Sequence, residues 1–286
     1  MEGGAWRGMY TQGVLDALME EGIHFQTVTG ISAGAMSALG YLSGQIGLSA
    51  RINLGHRHDR QYCGAGAMLR DHGVTGFSYF FETFLPAYGF DKKRFQDPRR
   101  DFITAATNIR TGKAEYFHKG TCDIFRVVRA SATVPYLSKP VRIDNEEYLD
   151  GGCAVKIPLD YALDHGFEKI VVVRTRDRNY RAEEKKISLP ARMIYHSCPA
   201  LLHSLADSAK RYNNMLDKID SLEQEGRLFV IAPSEPVTIS RFEGALEKLG
   251  ELYWQGLLGA HQRIGELRRY LQLPENPPVL CGISSR

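Results

Sequence analysis

No stretch of the 286-residue chain approaches the roughly 18 apolar residues of a membrane-spanning helix, and its start, MEGGAWRG, lacks the apolar core of a secretory signal. The five cysteines, Cys63, Cys122, Cys153, Cys198 and Cys281, are odd in number and never show the paired short spacing of a zinc site. Reduced thiols in a cytoplasmic setting are expected, with no metal or other cofactor. Excess charge is scarce too, since 36 Lys and Arg face 33 Asp and Glu, for a formal net charge of +3. Nucleic-acid binders spread basic residues over a face and reach a higher pI than the 8.5 of this sequence, so that class is set aside. The excess is local to residues 174–186, with six basic and three acidic side chains. That run reads as a solvated loop, with peripheral contact to anionic headgroups at the inner membrane surface as the alternative. Repeats and low-complexity stretches are absent, and turn signals are scattered rather than gathered into one linker, which favours a continuous domain.

What is present is the composition of a globular protein, 43% hydrophobic, 24% charged and 10% aromatic. Apolar, β-branched or aromatic runs at 25–29, 102–107 and 169–174 read as buried strands, and RLFVIA at 227–232 as a later one. Helical patterns at 10–21 and 160–165 lie beside them, the second ended by Gly166. Two long amphipathic patterns, 191–226 and 240–273, close the chain as layers on the sheet. The alternation means α/β. An aromatic cluster at 76–84 (Phe77, Tyr79, Phe80, Phe81, Phe84) reads as core, or as the wall of a hydrophobic cleft.

Gly30-Ile31-Ser32-Ala33-Gly34 follows the first strand directly and precedes a helical run through Met36, Leu39 and Leu42. It fits a nucleophile elbow, in which the serine sits on a strained turn at a helix N-terminus and its neighbours must be nearly free of side chain. Gly3-Gly4-Ala5-Trp6-Arg7-Gly8 is a small-residue loop opening onto a helix, and it exposes backbone amides suited to an oxyanion or a phosphate. The dinucleotide fingerprint would need glycine at Ala5 and an acidic residue about 20 positions on, and a phosphate loop would need Gly-Lys-Ser/Thr, so nucleotide binding is set aside. Tyr148-Leu149-Asp150-Gly151-Gly152 ends a short β-like segment on a carboxylate, which can serve as a base if burial raises its pKa from about 4 towards neutrality.

Together these motifs resemble the patatin-like phospholipases, bacterial serine lipid acyl hydrolases that use a Ser-Asp dyad. EGGAWRG is similar to the family's acidic-Gly-Gly-Gly-x-Arg-Gly loop, GISAG to its elbow and LDGG to its Asp-Gly-Gly/Ala motif, with Asp150 lying 118 residues beyond Ser32. RASATVP, at 129–135, is similar to the stretch before the family's aspartate. The resemblance implies a three-layer α/β/α sandwich with a mostly parallel sheet, a catalytic core at 1–180 and a C-terminal helical extension at 181–286 packed on the same domain. It implies Ser32 as nucleophile, Asp150 as base, the backbone amides of Gly3, Gly4 and Ala5 as oxyanion donors, and Arg7 as support for the loop. Gly8, Gly30, Gly34, Gly151 and Gly152 complete the motifs.

The implied activity is hydrolysis of an acyl ester of phospholipase or lysophospholipase type. Ala5 departs from the family's third glycine and would carry strain of about 1 kcal/mol if its φ is positive. The family also has a buried strand before this loop, where only Met1 and Glu2 stand here, so about eight further apolar residues upstream are expected. Two other readings remain open. One is an α/β-hydrolase with a Ser-Asp-His triad that recruits His165, His196, His203 or His261. The other is a fold of this type that binds acyl lipid without turning it over.

Overall fold

In a computed structural model of the chain, which describes residues 1–184 and 186–274, α1 (Gly8–Glu20) leads to β1 (Thr27–Gly30), and α2 (Ala33–Ser43) follows β1 after two residues. β1 lies parallel to β2 (Asp101–Asn108), with Thr29 opposite Ile103 and Gly30 opposite Thr104. β2 also pairs antiparallel with β3 (Ala114–His118), and its last residues with β5 (Glu146–Leu149). β5 in turn pairs antiparallel with β4 (Val141–Ile143). A second, parallel pair joins β6 (Ile170–Val173) to β7 (Leu228–Ile231). Three further helices matter for the site: α3 (Ile124–Ser131), α4 (Leu159–Asp164) and α5 (Ser208–Gln224). The long α6 (Leu246–Leu271) ends the described part.

Strand alternation sorts side chains to two helical layers. Ile170, Val172, Leu228 and Val230 pack with Leu159 of α4 and with Tyr212, Leu216, Ile219 and Leu222 of α5. Val173, Phe229 and Ile231 belong instead to the larger core that contains α1, α2 and α6. The chain is thus an α/β sandwich with helices on both sides. Helix α1 is buried from Gly8 to Met19 because α2 and α6 flank it. Contact between α1 and α6 depends on two glycines. A Cβ at Gly13 would lie 2.0 Å from the Tyr253 carbonyl, and one at Gly256 2.1 Å from the Tyr10 carbonyl.

Met1 and Glu2 run between β1 and β6. The Met1 amino group donates to the Thr29 carbonyl (2.7 Å), Ile31 N–H donates to the Met1 carbonyl (3.3 Å), and Glu2 N–H donates to the Val173 carbonyl (3.0 Å). The oxyanion-type loop is therefore tied to both strands. A groove of about 110 Å³ continues beside it, lined by Met1, Leu18, Val28, Ile157 and Val171.

Several expectations need correction. The single pattern at 191–226 is three helices, Leu189–Ile194, Pro199–Ala206 and α5. Proline at 199 has no amide to donate and pushes Cys198 out of helical geometry (φ −121°, ψ 64°). The last pattern starts at Leu246 rather than 240, because Arg57 holds residues 242 and 243 by their carbonyls in an irregular segment. The 174–186 run is not simply a solvated loop. Arg174 is 0% exposed and lies 3.7 Å from Asp220, Arg178 pairs with Glu223, and Arg181 with Asp217 and Asp220, all acidic residues of α5. Lys185 of that run and Cys281 lie outside the described residues, and Cys63, Cys122, Cys153 and Cys198 are free thiols. Among the described residues no helix is long and apolar enough to cross a membrane.

Candidate active site

The elbow is built where β1 meets α2. Ser32 has φ 54° and ψ −118°, a strained conformation for a residue with a side chain, and it stands as the N-cap of α2. Its neighbours are small because the chain passes so close. A Cβ on Gly30 would sit 2.5 Å from the Gly34 carbonyl, and one on Gly34 would sit 2.9 Å from the carbonyls of Met1 and Glu2. Ser32 N–H donates to Ser131 Oγ (3.0 Å), at the end of α3. Ser131 Oγ also lies 3.1 Å from Thr104 Oγ1, which donates to the Gly30 carbonyl (2.8 Å). Two buried hydroxyls thus brace the turn from β2 and α3.

Asp150 is fixed on every side. Its N–H donates to the Thr133 carbonyl (2.8 Å), and its own carbonyl accepts from Thr107 Oγ1 (2.8 Å). Its Oδ1 accepts from Gly152 N–H (2.7 Å), in the 3₁₀ turn begun by Gly151. Its Oδ2 accepts from Ser32 Oγ at 2.7 Å. Burial pushes the carboxyl up to about 6, although the Ser32 and Gly152 hydrogen bonds and the charges of Arg241 and Lys156 pull the other way. The two candidate residues, 118 apart in sequence, are therefore in direct contact, with the carboxyl poised near neutral pH.

The loop ahead of α1 is organised differently from the expectation. Gly3 N–H donates to the Lys156 carbonyl (3.1 Å), which removes it from the expected donor set. Gly4 and Ala5 N–H have no partner among the described residues, and neither has the N–H of Ala33, the first residue of α2. Ala5 does carry a positive φ, 50°. Arg7, expected to support the loop, donates its backbone N–H to the Gly4 carbonyl (3.2 Å), but its side chain makes no hydrogen bond or ion pair among the described residues although the residue is only 7% exposed. Support comes from Glu2, whose carboxylate accepts from Thr175 N–H and Tyr212 Oη, both at 2.5 Å. Gly8 follows as the first residue of α1.

Two cavities meet at Ser32. The larger, about 490 Å³, runs between Trp6, Met9, Met36, Tyr62, Phe77 and Phe80. The smaller, about 190 Å³, is walled by Asp150, Arg7, Lys156, Arg176, Tyr180 and Tyr212. Ala5, Val134, Arg241 and Phe242 border both. Arg57, stacked on Trp6 at 4.5 Å, fixes the 242–243 backbone over this junction.

The patatin-like phospholipase family model matches residues 1–163, more than half of the chain and the part that carries Ser32 and Asp150. The chain belongs to that family. A second model, a domain of unknown function (DUF6363), matches residues 198–272, which include α5 and α6. The uncharacterized protein YjjU of Escherichia coli (strain K12) is 24% identical over 263 residues, 90% of this chain and 74% of that protein. The probable lipid hydrolase 463L of Invertebrate iridescent virus 6 is 26% identical over 188 residues, 59% of this chain and 64% of the viral protein. Among solved structures, VipD from Legionella pneumophila is similar with a TM-score of 0.48 and 13% identity, over 91% of this chain and 65% of that chain.

In this patatin-like chain the four histidines of the triad alternative are engaged elsewhere. His165 Nδ1 faces the Tyr161 carbonyl, His196 Nδ1 the Met193 carbonyl, His203 pairs with Asp207, and His261 with Glu20 and Glu21. None lines either cavity, and the direct Ser32–Asp150 contact leaves no place for an imidazole between them. The aromatic cluster divides. Phe77 and Phe80 line the large cavity, whereas Phe81 packs on Phe125 and Phe84 stacks on His56. Ser131, Thr104, Thr107 and Thr133 escaped the sequence reading. RASATVP drew attention to its neighbourhood, but nothing local says that a serine at 131 braces an amide at 32.

Proposed function

We propose that the protein is a serine acyl hydrolase acting on carboxylic esters of lipids, with Ser32 as nucleophile and Asp150 as its base. The observation that carries this reading is the 2.7 Å hydrogen bond from Ser32 Oγ to Asp150 Oδ2 at the mouth of an apolar cavity of about 490 Å³. An acyl chain fits the large cavity, leaving the ester carbonyl beside Ser32 and the alcohol portion towards the smaller one. As Oγ attacks the carbonyl carbon, its proton passes to Asp150 Oδ2. The negative charge on the carbonyl oxygen falls to the unpaired amides of Gly4, Ala5 and Ala33, each donor of this kind being worth about 3 kcal/mol. Collapse of the tetrahedral intermediate breaks the bond to the alcohol, which takes the proton from Asp150. Water then attacks the acyl-serine with Asp150 again as base, releasing the fatty acid and restoring the hydroxyl.

A fluorophosphonate tests the reading directly, because it phosphonylates only an activated serine. Mass spectrometry of the digested adduct is expected to place the label on Ser32, and labelling is expected to fail in Asp150→Asn. Labelling of another serine, or none, would remove the assignment.

A further inference from the structure

The smaller cavity holds far more positive charge than the dyad needs. Arg7, Lys156, Arg176 and Arg241 all line it, against the carboxylates of Glu2 and Asp150. Both carboxylates are already committed, Glu2 to Thr175 N–H and Tyr212 Oη, Asp150 to Ser32 Oγ and Gly152 N–H. The cations are not. The side chains of Arg7 and Lys156 make no hydrogen bond or ion pair among the described residues. Among the described residues Nε of Arg7 and Nε of Arg176 are buried without a partner, and the one hydrogen bond from Arg176 goes to the Val237 carbonyl (2.5 Å). Unpartnered buried guanidinium groups are costly, and they persist where a ligand supplies the missing acceptors. Burial, with the neighbouring Arg241 charge, lowers Lys156 to about 8, and burial with Arg176 and Arg241 lowers Arg7 to about 10, although the Glu2 carboxylate acts the other way on both.

The aromatic surfaces of the cavity narrow the ligand further. Tyr212 and Tyr180 could hold a quaternary ammonium, but Lys156 Nζ lies over the Tyr212 ring at 4.7 Å and the Arg176 guanidinium over the Tyr180 ring at 4.5 Å. Both rings therefore orient cations of the protein rather than of a headgroup. We infer that this cavity is a subsite for a phosphate group on the alcohol side of the ester, so that acyl esters of glycerol phosphate are favoured over neutral or zwitterionic esters. Lys156 and Arg176 are its main specificity residues, with Arg7 also in its wall and Arg241 at its rim. This rests on the acyl-hydrolase reading for the position of the scissile bond, but the anion subsite itself does not.

The test pairs kinetics with binding. With 1-oleoylglycerol 3-phosphate and 1-oleoylglycerol as matched substrates, kcat/KM is expected to favour the phosphate ester by at least about tenfold, the worth of one or two charge-assisted hydrogen bonds. Lys156→Met and Arg176→Met should each shrink that ratio mainly through KM, and Lys156→Arg should restore most of it. Calorimetry on the Ser32→Ala protein should show glycerol 3-phosphate binding that weakens in the added Lys156→Met change. Inorganic phosphate should bind at least about tenfold more weakly than glycerol 3-phosphate. Equal binding of the two would assign the site to free phosphate and overturn the headgroup reading. Ser32-dependent hydrolysis of both esters at equal kcat/KM, without glycerol 3-phosphate binding, would overturn the subsite while leaving the hydrolase reading intact. Binding that depends on Lys156, with neither ester hydrolysed, would do the reverse.

Discussion

Asp150 can accept the Ser32 proton only when it is ionised, and burial holds its carboxyl at about 6. With that value about nine-tenths of the molecules carry the carboxylate at pH 7 and about one-tenth at pH 5, so kcat/KM for an uncharged ester should fall about tenfold between them. Stability moves the other way. The folded value lies above the 3.8 of an unperturbed aspartate, so ionisation of this group opposes folding fully above pH 6, and the penalty vanishes below about pH 4. A shift of that size corresponds to about 3 kcal/mol at most. Asp16, buried under Tyr253 and also pushed up to about 6, contributes with the same sign, so these two carboxyls favour folding as pH falls from 6 to 4, against the loss from Glu146 and Glu243, whose hydrogen bonds hold them below the usual range. Asp150→Asn removes one of these two penalties. It is expected to raise the thermal midpoint at pH 7 by several degrees, to weaken the pH dependence of stability, and to abolish turnover. Initial rates from pH 4.5 to 8 and thermal scans of both proteins supply the data. A rate profile flat between pH 5 and 7, together with an Asp150→Asn protein no more stable than wild type, would refute the argument that burial raises this carboxyl.

Phe80→Ser should lower kcat/KM for long-chain esters about tenfold more than for short-chain ones, because Phe80 walls the large cavity. Phe81→Ser, packed on Phe125, should leave chain-length preference unaltered, and an equal effect of the two changes would take the acyl chain out of this cavity. Ser131→Ala strips the acceptor from the Ser32 amide and should cost about 1–3 kcal/mol in denaturant unfolding along with part of the turnover. Unchanged stability and unchanged rate would mean that the strained turn holds itself. Alanine at His165, His196, His203 and His261 should keep kcat/KM within about twofold, since their partners lie away from Ser32 and Asp150. Loss of activity in one of them, with its thermal midpoint intact, would revive a triad.

The elbow was legible because its chemistry is local. Strand, Gly30, Ser32, Gly34 and helix are contiguous, and each is required by the others. Asp150 was legible only in company, since an Asp-Gly-Gly turn is common and its meaning comes from Ser32. What the sequence hid was the set of partners that arrive from elsewhere. The Gly3 amide looked free until Lys156, 153 positions on, supplied its carbonyl, and the loop's anchor proved to be Glu2 through Thr175 and Tyr212. The strands β6 and β7 were visible as continuous apolar runs and the end of β5 as a β-like segment before Asp150, but β3 and β4 were not. Their short edge segments, such as AEYFH in β3, mix polar and apolar residues too briefly for a pattern to stand out. The basic run at 174–186 misled for the same reason, because the acidic face of α5 that neutralises it begins more than 30 residues later.

The central claim is that Ser32 carries the acyl group. The most direct measurement is the initial rate of p-nitrophenyl butyrate hydrolysis by wild type and by Ser32→Ala at pH 7.5, with far-UV circular dichroism to confirm that both are folded. Ser32→Ala is expected to lose at least about 10³-fold, some 4 kcal/mol or more of transition-state stabilisation. A folded Ser32→Ala protein that hydrolyses the ester within about twofold of wild type would contradict it.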